Sequence, residues 1–305
     1  MELILHHYDF SNYAEKARLA LGYKNLAWRS VIIPPVAPKP DLTPLTGGYR
    51  RTPVLQIGAD VFCDTRLILR ELERRKPQPS LYPDGIAALA DMIAYWAENQ
   101  FFRPMSLYVS GTNFDLLPSD LQADRSRMRD LPLPSAATVQ RAAKRNAPLV
   151  RAQLPTIEAL LTSGHPWIAG AQVTVADFAL FHPIWFMTAR SQRLAHELAP
   201  YPRIVEWMER MRAFGHGTSS QMSAAEALNV AAAAEPATPR PSSPFDEDPP
   251  LGSHVRIRAD DYGRDPVEGE LVLVDGDEIA LLRSDPRLGD IVVHFPRLGY
   301  DLREM

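Results

Sequence analysis

Leu3-Ile4-Leu5 is a short unbroken apolar run, the pattern of a buried strand, and a polar loop follows at Asp9-Phe10-Ser11-Asn12. Apolar residues then return at helical spacing from Tyr13 to Gly22, with the glycine as a stop. Trp28 to Ile33 predicts a second strand, and the proline-rich stretch Pro34 to Pro44 cannot form a regular helix. Next, Pro53-Val54-Leu55-Gln56-Ile57, a turn at Gly58-Ala59-Asp60 and Val61-Phe62-Cys63 predict a β-hairpin. Asp64-Thr65 caps a helix running to about Arg75. The order βαβ, connector, ββα over residues 1–76 fits an α/β thioredoxin-like domain.

Lys76 to Ser80 reads as a linker, and from Ile86 to Val109 apolar residues such as Leu89, Ile93 and Trp96 recur with helical period. Ser110 to Pro134 reads as irregular. Helical patterns resume over Ala136 to Leu161, where Pro148 and Pro155 should each break or kink the run, and again over Thr174 to Ala189, Arg203 to Phe214 and Ser220 to Ala234. Residues 84–234 are therefore expected to form an all-α domain. The Pro, Ser and Ala content of residues 235–251 marks a linker. Beyond it, β-rich runs at 254–258, 270–274, 279–283 and 291–295, separated by Asp-Gly, Asp-Pro and Gly-Asp turns, predict a small SH3-like barrel over residues 252–305. A disordered tail is the alternative, and the regular β-branched runs speak against it.

Composition narrows the chemistry. With 46% hydrophobic and 23% charged residues the chain resembles an average soluble protein, and no apolar run approaches the roughly 20 residues of a membrane span. The start, Met1 to His7, lacks a basic region followed by a long apolar stretch, which predicts a cytoplasmic protein. One cysteine cannot make an internal disulfide, a CxxC pair or a thiolate zinc cage, so any sulfur chemistry needs a sulfur from elsewhere. A net charge of −4, with 7 basic against 12 acidic residues from His254 onward, gives no electrostatic reason to expect nucleic acid as a partner. His6 and His7 are adjacent and so fall on opposite strand faces, which disfavours a shared metal. Cys63, in an apolar strand, reads as an inert small hydrophobe.

Three local patterns carry candidate chemistry. Ser11-Asn12-Tyr13-Ala14-Glu15-Lys16-Ala17-Arg18 opens the first helix, where redox thioredoxins carry their CxxC. Ser11 and Ala14 stand at the two cysteine positions, so dithiol exchange is excluded. Arg51-Thr52-Pro53-Val54-Leu55 leads into the hairpin, and Asp64-Thr65-Arg66-Leu67-Ile68 opens the next helix. Taken singly, a serine N-cap, an X-Pro strand entry and an Asp-Thr helix start are all commonplace.

Together the three resemble the S-P-[YF]-x-x-K-x-R, [KR]-x-P-[VI]-L and [ED]-S-x-x-I runs of the cytosolic glutathione transferase family. Val173-Thr174-Val175-Ala176-Asp177-Phe178, a capping-box variant after the Trp167-Ile168-Ala169-Gly170 turn, resembles the helix cap of that family's second domain. The resemblance covers about residues 1 to 230, and the linker and β unit lie outside it. It implies glutathione as co-substrate and a homodimer in which the first domain of one subunit faces the helical domain of the other. It also implies a detoxifying transfer reaction on a hydrophobic small-molecule electrophile. Ser11, at a helix N-terminus, would donate a hydrogen bond to the glutathione thiolate. Tyr8, near the end of the first strand, is the rival donor, since other classes of the family use a tyrosine there, and Asn12 departs from the family's proline. Pro53 would be cis, and Val54 would pair its N–H and C=O with the cysteinyl part of glutathione. Asp64 would take the α-amino group and Thr65 the carboxylate of the γ-glutamyl end. Lys39, Arg50 and Arg51 are the candidates for the glycyl carboxylate. Tyr95, Phe101, Phe102, Trp185 and Phe186 are candidates to line an electrophile pocket. A non-catalytic binding or regulatory module, and a specialised glutathione-dependent lyase, isomerase or dehalogenase, remain alternatives.

Overall fold

Strand β1 (Ile4–His7) lies between β2 (Ala27–Ile32), parallel to it, and β3 (Val54–Ile57), antiparallel, in a computed structural model that describes residues 1–162, 164–189 and 191–305. β4 (Asp60–Cys63) closes the hairpin on β3. Helices α1 (Asn12–Tyr23) and α3 (Thr65–Arg75) bury Leu19, Leu67, Ile68 and Leu72 in one cluster with Leu5 and Leu55 of the sheet. This is the expected thioredoxin-like domain, with two local differences. The proline-rich connector ends in a single turn, α2 (Thr43–Thr46), with Pro44 in its first positions, where the missing N–H costs nothing. Gly22 does not stop α1, which runs on to Tyr23. A Cβ at Gly22 would sit 2.1 Å from the Gly215 carbonyl oxygen, so glycine is there for close backbone approach.

Helices α4 (Ala87–Trp96) and α5 (Phe102–Thr112) form one rod joined by a π-helical turn over Ala97–Phe101. The expectation of an irregular 110–134 segment is corrected: a 3-10 turn at Phe114–Leu116 and helix α6 (Ser119–Arg127) lie within it. α6 buries only Leu121 and Asp124. Its anchor is polar: Asp124 Oδ1 lies 2.5 Å from Arg50 Nη2, and Arg125 Nη2 donates to the Tyr8 hydroxyl at 2.9 Å and the Pro35 carbonyl at 3.2 Å, so apolar periodicity gives little sign of it. In α7 (Ala136–Arg151) Pro148 sits inside the helix without ending it, and Pro155 opens α8 (Leu154–Leu160) in place of breaking a longer helix. α9 (Val175–Ala189) is buried along most of its length and packs against α1, α4 and α5. α10 (Pro202–Arg212) follows.

The chain then returns to the first sheet. β5 (Thr218–Gln221) pairs parallel with β2, and α11 (Ala224–Ala232) starts only after it, at a Ser223–Glu226 capping box. The helix expected from Ser220 thus begins four residues later, because extended backbone bonding to β2 takes the first of those residues. α11 covers the second face of the sheet, with Ala227 and Ala231 buried among Ile4, Val54 and Val61. Residues 235–253 form no helix or strand. They are nonetheless pinned: the Ala237 N–H donates to Asp60 Oδ2 at 2.9 Å and the Ser243 N–H to the Val274 carbonyl at 3.1 Å.

Strands β6 (His254–Ala259), β7 (Val267–Val274), β8 (Glu278–Asp285) and β9 (Gly289–Pro296) form an antiparallel meander, and β10 (Tyr300–Glu304) returns onto β6. That is the strand order of an SH3-like unit. β9 also pairs parallel with the outer edge of β4, Val61 opposite Val293, so first domain and β unit share one ten-stranded sheet. Val54, Val61, Ile279, Val293 and Phe295 belong to one core. Among the described residues no helix is long and apolar enough to cross a membrane.

Candidate ligand site

The loop carrying Ser11 is tied down by Arg18. Its Nη2 donates to the Asp9 carbonyl at 2.9 Å and to Glu15 Oε2 at 2.7 Å, and Nη1 meets His7 Nδ1 at 3.0 Å. Burial, and then the Arg18 charge, push the His7 pKa down to about 4, so its neutral ring accepts from Arg18 and bonds Ser30 Oγ through Nε2 at 2.9 Å. His6 bonds Gln56 at 2.8 Å on the opposite face. Ser11 N-caps α1: its Oγ accepts the Ala14 N–H at 3.1 Å, which leaves its own proton to give. Asn12 donates through Nδ2 to His182 Nδ1 at 2.9 Å. The proton of that buried, neutral imidazole is therefore on Nε2, facing Glu98 Oε1 at 3.8 Å.

A polar cavity of about 90 Å³ lies where the first domain meets the π turn and the β unit. Thr52, Pro53, Asp64 and Thr65 line it, and the Thr52–Pro53 bond is cis, as the resemblance implies. Asp64 is held at φ 71°, a left-handed value that costs a non-glycine residue about 1–3 kcal/mol. Its Oδ1 accepts the Arg66 N–H at 2.9 Å. Burial, and next the Glu98 charge, raise its pKa. Buried Lys16 donates to Thr65 Oγ1 at 3.2 Å and pairs with Glu98. Burial alone would push the Glu98 carboxyl up, but Lys16 and His182 outweigh it and hold it at about 2.

A larger cavity of about 380 Å³ opens alongside, with mostly apolar walls that include Phe10, Phe102, Leu107, Leu121 and Phe186. Ser11 and Tyr8 line it, and Arg125 Nη2 donates to the Tyr8 hydroxyl at 2.9 Å. Tyr13, Arg51, Thr52 and Tyr262 line both cavities and so stand between them.

The fold thus collects Arg51, Pro53, Asp64 and Thr65 around one cavity and Ser11, Tyr8 and Arg51 around its neighbour. Val54 is fully buried, opposite His6 and Cys63 in the sheet, and lines neither cavity. The three basic candidates are all engaged within the chain. Lys39 Nζ donates to the Arg50 carbonyl (3.1 Å) and Thr52 Oγ1 (3.0 Å), Arg50 pairs with Asp124, and Arg51 pairs with Asp261. Burial lowers the Lys39 pKa to about 8. Of the aromatic candidates, Phe102 and Phe186 line the apolar cavity and Tyr95 the polar one, while Phe101 and Trp185 pack in the helical core. Cys63 is fully buried, and burial pushes its thiol well above the ordinary value. Sequence reasoning missed Glu98, Tyr49, Tyr262 and Tyr300. Only Lys16, part of the first motif, gave a signal, since a buried lysine requires an acidic partner.

Residues 5–80 match the N-terminal domain of glutathione S-transferases and residues 137–210 their C-terminal domain. No curated protein matches the chain. Among solved structures, a GST-like protein from Pseudomonas syringae is 39% identical over 100% of both chains, with a TM-score of 0.81, so the likeness includes the β unit. A glutathione S-transferase from Rhodospirillum rubrum (21% identity, 69% of this chain and 88% of that one, TM-score 0.54) shares the fold. So does one from Methylobacterium radiotolerans, solved with glutathione sulfonate (22%, 73% and 97%, TM-score 0.52). With both domain matches and an end-to-end relative at this identity, the chain belongs to the glutathione S-transferase family.

Proposed function

We propose that the protein binds glutathione with its γ-glutamyl end in the polar cavity and its sulfur beside Ser11, where the thiolate attacks an apolar electrophile held in the larger cavity, forming a C–S bond as the leaving group, chloride from a chlorinated nitroarene, departs with its bonding pair. The carrying observation is that Asp64 and Thr65, matched to the two ends of an amino acid, line a cavity that has four wall residues in common with the one lined by Ser11. A thiol with a pKa of about 8.5 needs about 2 kcal/mol of stabilisation to be half ionised at neutral pH. One hydroxyl donor and the N-terminus of α1 act together in that direction. Holding thiolate and electrophile together in the larger cavity supplies the rest. The neighbour solved with glutathione sulfonate is consistent with this ligand. Calorimetric titration of the protein with glutathione at millimolar levels tests the reading, and absence of binding sinks it.

A single buried cysteine suits the reducing cytoplasm as the place of action. A homodimer would have to spare the outer edge of β4, which β9 occupies. The exposed Leu89, Met92 and Tyr95 on α4 offer an alternative face, and sedimentation would report the state.

A non-catalytic binding module is the second reading, favoured because Lys39, Arg50 and Arg51 all have internal partners. Glutathione binding without turnover of a chlorinated nitroarene would select it.

A further inference from the structure

We propose that the C-terminal β unit is a working part of the ligand site: Tyr262 is the specificity-determining wall between the two cavities, and Tyr300 positions Asp64 for the ligand's ammonium group. The inference rests on the glutathione reading and extends it to a part of the chain that lies beyond both matched domains.

Among the described residues, Tyr262 is the one member of the β unit that lines both cavities. Its ring is held by two guanidiniums, with Arg51 Cζ 4.3 Å and Arg129 Cζ 5.4 Å from the ring centre. Its carbonyl accepts from Arg51 Nε at 3.1 Å, and Asp261 takes the same guanidinium. The next residue fixes the loop from the other side, since the Gly263 N–H donates to the Met128 carbonyl at 2.6 Å. Gly263 sits at φ +59°, and a Cβ there would lie 2.8 Å from Met128 Cε. The loop therefore clamps Arg51 of the first domain to the end of α6, with the Tyr262 ring between the two cavities. Glutathione that reaches from the polar cavity to Ser11 already passes that ring, and a substituent on its sulfur adds apolar surface against the side of the ring that faces the larger cavity.

Tyr300 works at the far end. Its hydroxyl lies 3.2 Å from Asp64 Oδ2 and 3.2 Å from the Tyr49 hydroxyl, while Asp64 Oδ1 holds the Arg66 N–H. Donors on both oxygens fix the plane of the carboxylate, and its remaining lone pairs can meet an ammonium. The charged and titratable groups around Asp64 are Lys16 of α1, Glu98 of the π turn, Arg51, Cys63, Tyr13, Tyr49 and Tyr300. Removing the Tyr300 hydroxyl deletes one bond to the ionised carboxylate, so Asp64 will protonate more readily.

The test uses the full-length protein as wild type, Tyr262→Ala, Tyr262→Phe and Tyr300→Phe, titrated calorimetrically with glutathione and with S-hexylglutathione from neutral to acid pH. Tyr262→Ala should shift the ratio of the two affinities roughly tenfold, while Tyr262→Phe, which keeps the ring, restores the wild-type ratio. Tyr300→Phe should weaken both ligands roughly fivefold and move the acid-side loss of affinity to higher pH, a change that mere loosening of the fold does not produce. Wild-type binding with an unchanged ratio in Tyr262→Ala and an unmoved acid limb in Tyr300→Phe overturns the inference and leaves the glutathione reading intact. A wild-type protein that binds neither ligand overturns both.

Discussion

His294 Nε2 of β9 lies 3.0 Å from Asp60 Oδ1 of β4, so the seam between the β unit and the first domain is an ion pair as well as a strand pairing. The other ring nitrogen meets Glu278 Oε1 at 2.7 Å, and the ring stacks on Phe62 with centroids 4.3 Å apart. Arg74 of α3 (3.0 Å) and Arg240 of the connector (2.7 Å) complete the shell of Glu278. The imidazole and the Glu278 carboxylate it holds therefore join the first domain, the connector and the β unit.

Replacing His294 with Gln should cost about 3 kcal/mol, because two buried carboxylates lose their shared partner. The pH dependence gives a sharper readout. Burial alone would lower the His294 pKa, but Asp60 and Glu278 raise it above 6.5, so its stabilisation is complete below 6.5 and lost as pH climbs through the raised folded value. Glu278 is held near 2 against an ordinary 4.5: burial opposes ionisation, and His294, Arg74 and Arg240 outweigh it. Its contribution is present above 4.5 and lost as pH falls toward 2. Melting temperature should thus decline on both sides, with the alkaline limb flattened in His294→Gln. An alkaline limb equally steep in both proteins refutes the clasp.

Gly22→Ala should destabilise, although the same change inside an exposed helix usually stabilises by up to about 1 kcal/mol. The added methyl would stand 2.1 Å from the Gly215 carbonyl oxygen and 2.6 Å from that of Phe214, both backbone atoms that move only if the end of α10 moves. A loss of about 1–3 kcal/mol is expected from urea unfolding. A gain in stability would show that this approach yields easily.

Asp177 gathers four donors in the helical core: the N–H groups of Ile168 and Thr174 (both 2.9 Å), the Thr174 hydroxyl (3.3 Å) and Trp207 Nε1 (2.9 Å). Burial pushes its pKa up to about 6 against the pull of those bonds. Asp177→Asn puts an amide donor among donors, and a loss of about 2–3 kcal/mol follows. Trp207 fluorescence in denaturant reports it directly, and a neutral result would show that the amide finds another acceptor.

These cases divide what the sequence carries from what it hides. The βαβ–ββα order, the cis-proline entry and the Asp64–Thr65 helix start are local, so apolar runs and caps within a few residues reveal them. Asp177 was legible as a cap, though its bond to Trp207, thirty residues on, was not. Gly22 is ambiguous in the sequence, since a stop signal and a close approach both select glycine, and only Gly215 beside it decides for the second. Helix α6 escaped because the Asp124 pair with Arg50 and the Arg125 bonds to Tyr8 and Pro35 hold it, and β5 because its four exposed polar residues are strand only by virtue of β2 beside them. Tyr262 and Tyr300 reach the cavities from outside the part of the chain that resembles the family, so no motif marks them.

The choice between Ser11 and Tyr8 as thiolate donor has the clearest consequence for mechanism. Ser11 Oγ accepts one bond, from the Ala14 N–H, and keeps its proton available to a sulfur in the cavity it lines. Tyr8 also accepts a bond and keeps its proton, but its donor, Arg125 Nη2, ties it to α6, whereas Ser11 stands at the N-terminus of α1, where the helix dipole favours a thiolate. Ser11→Ala should therefore raise the apparent pKa of bound glutathione by roughly 1–2 units, the worth of one charge-assisted hydrogen bond, while loss of the cap costs about 1 kcal/mol of stability. Tyr8→Phe should leave that pKa in place and raise the KM for the electrophile, because Arg125 and the α6 wall lose an anchor. The ultraviolet absorbance of bound thiolate against pH, measured beside the pH profile of nitroarene conjugation, separates the two. If Tyr8→Phe moves the thiol and Ser11→Ala does not, the tyrosine is the donor and Ser11 is only the cap of α1.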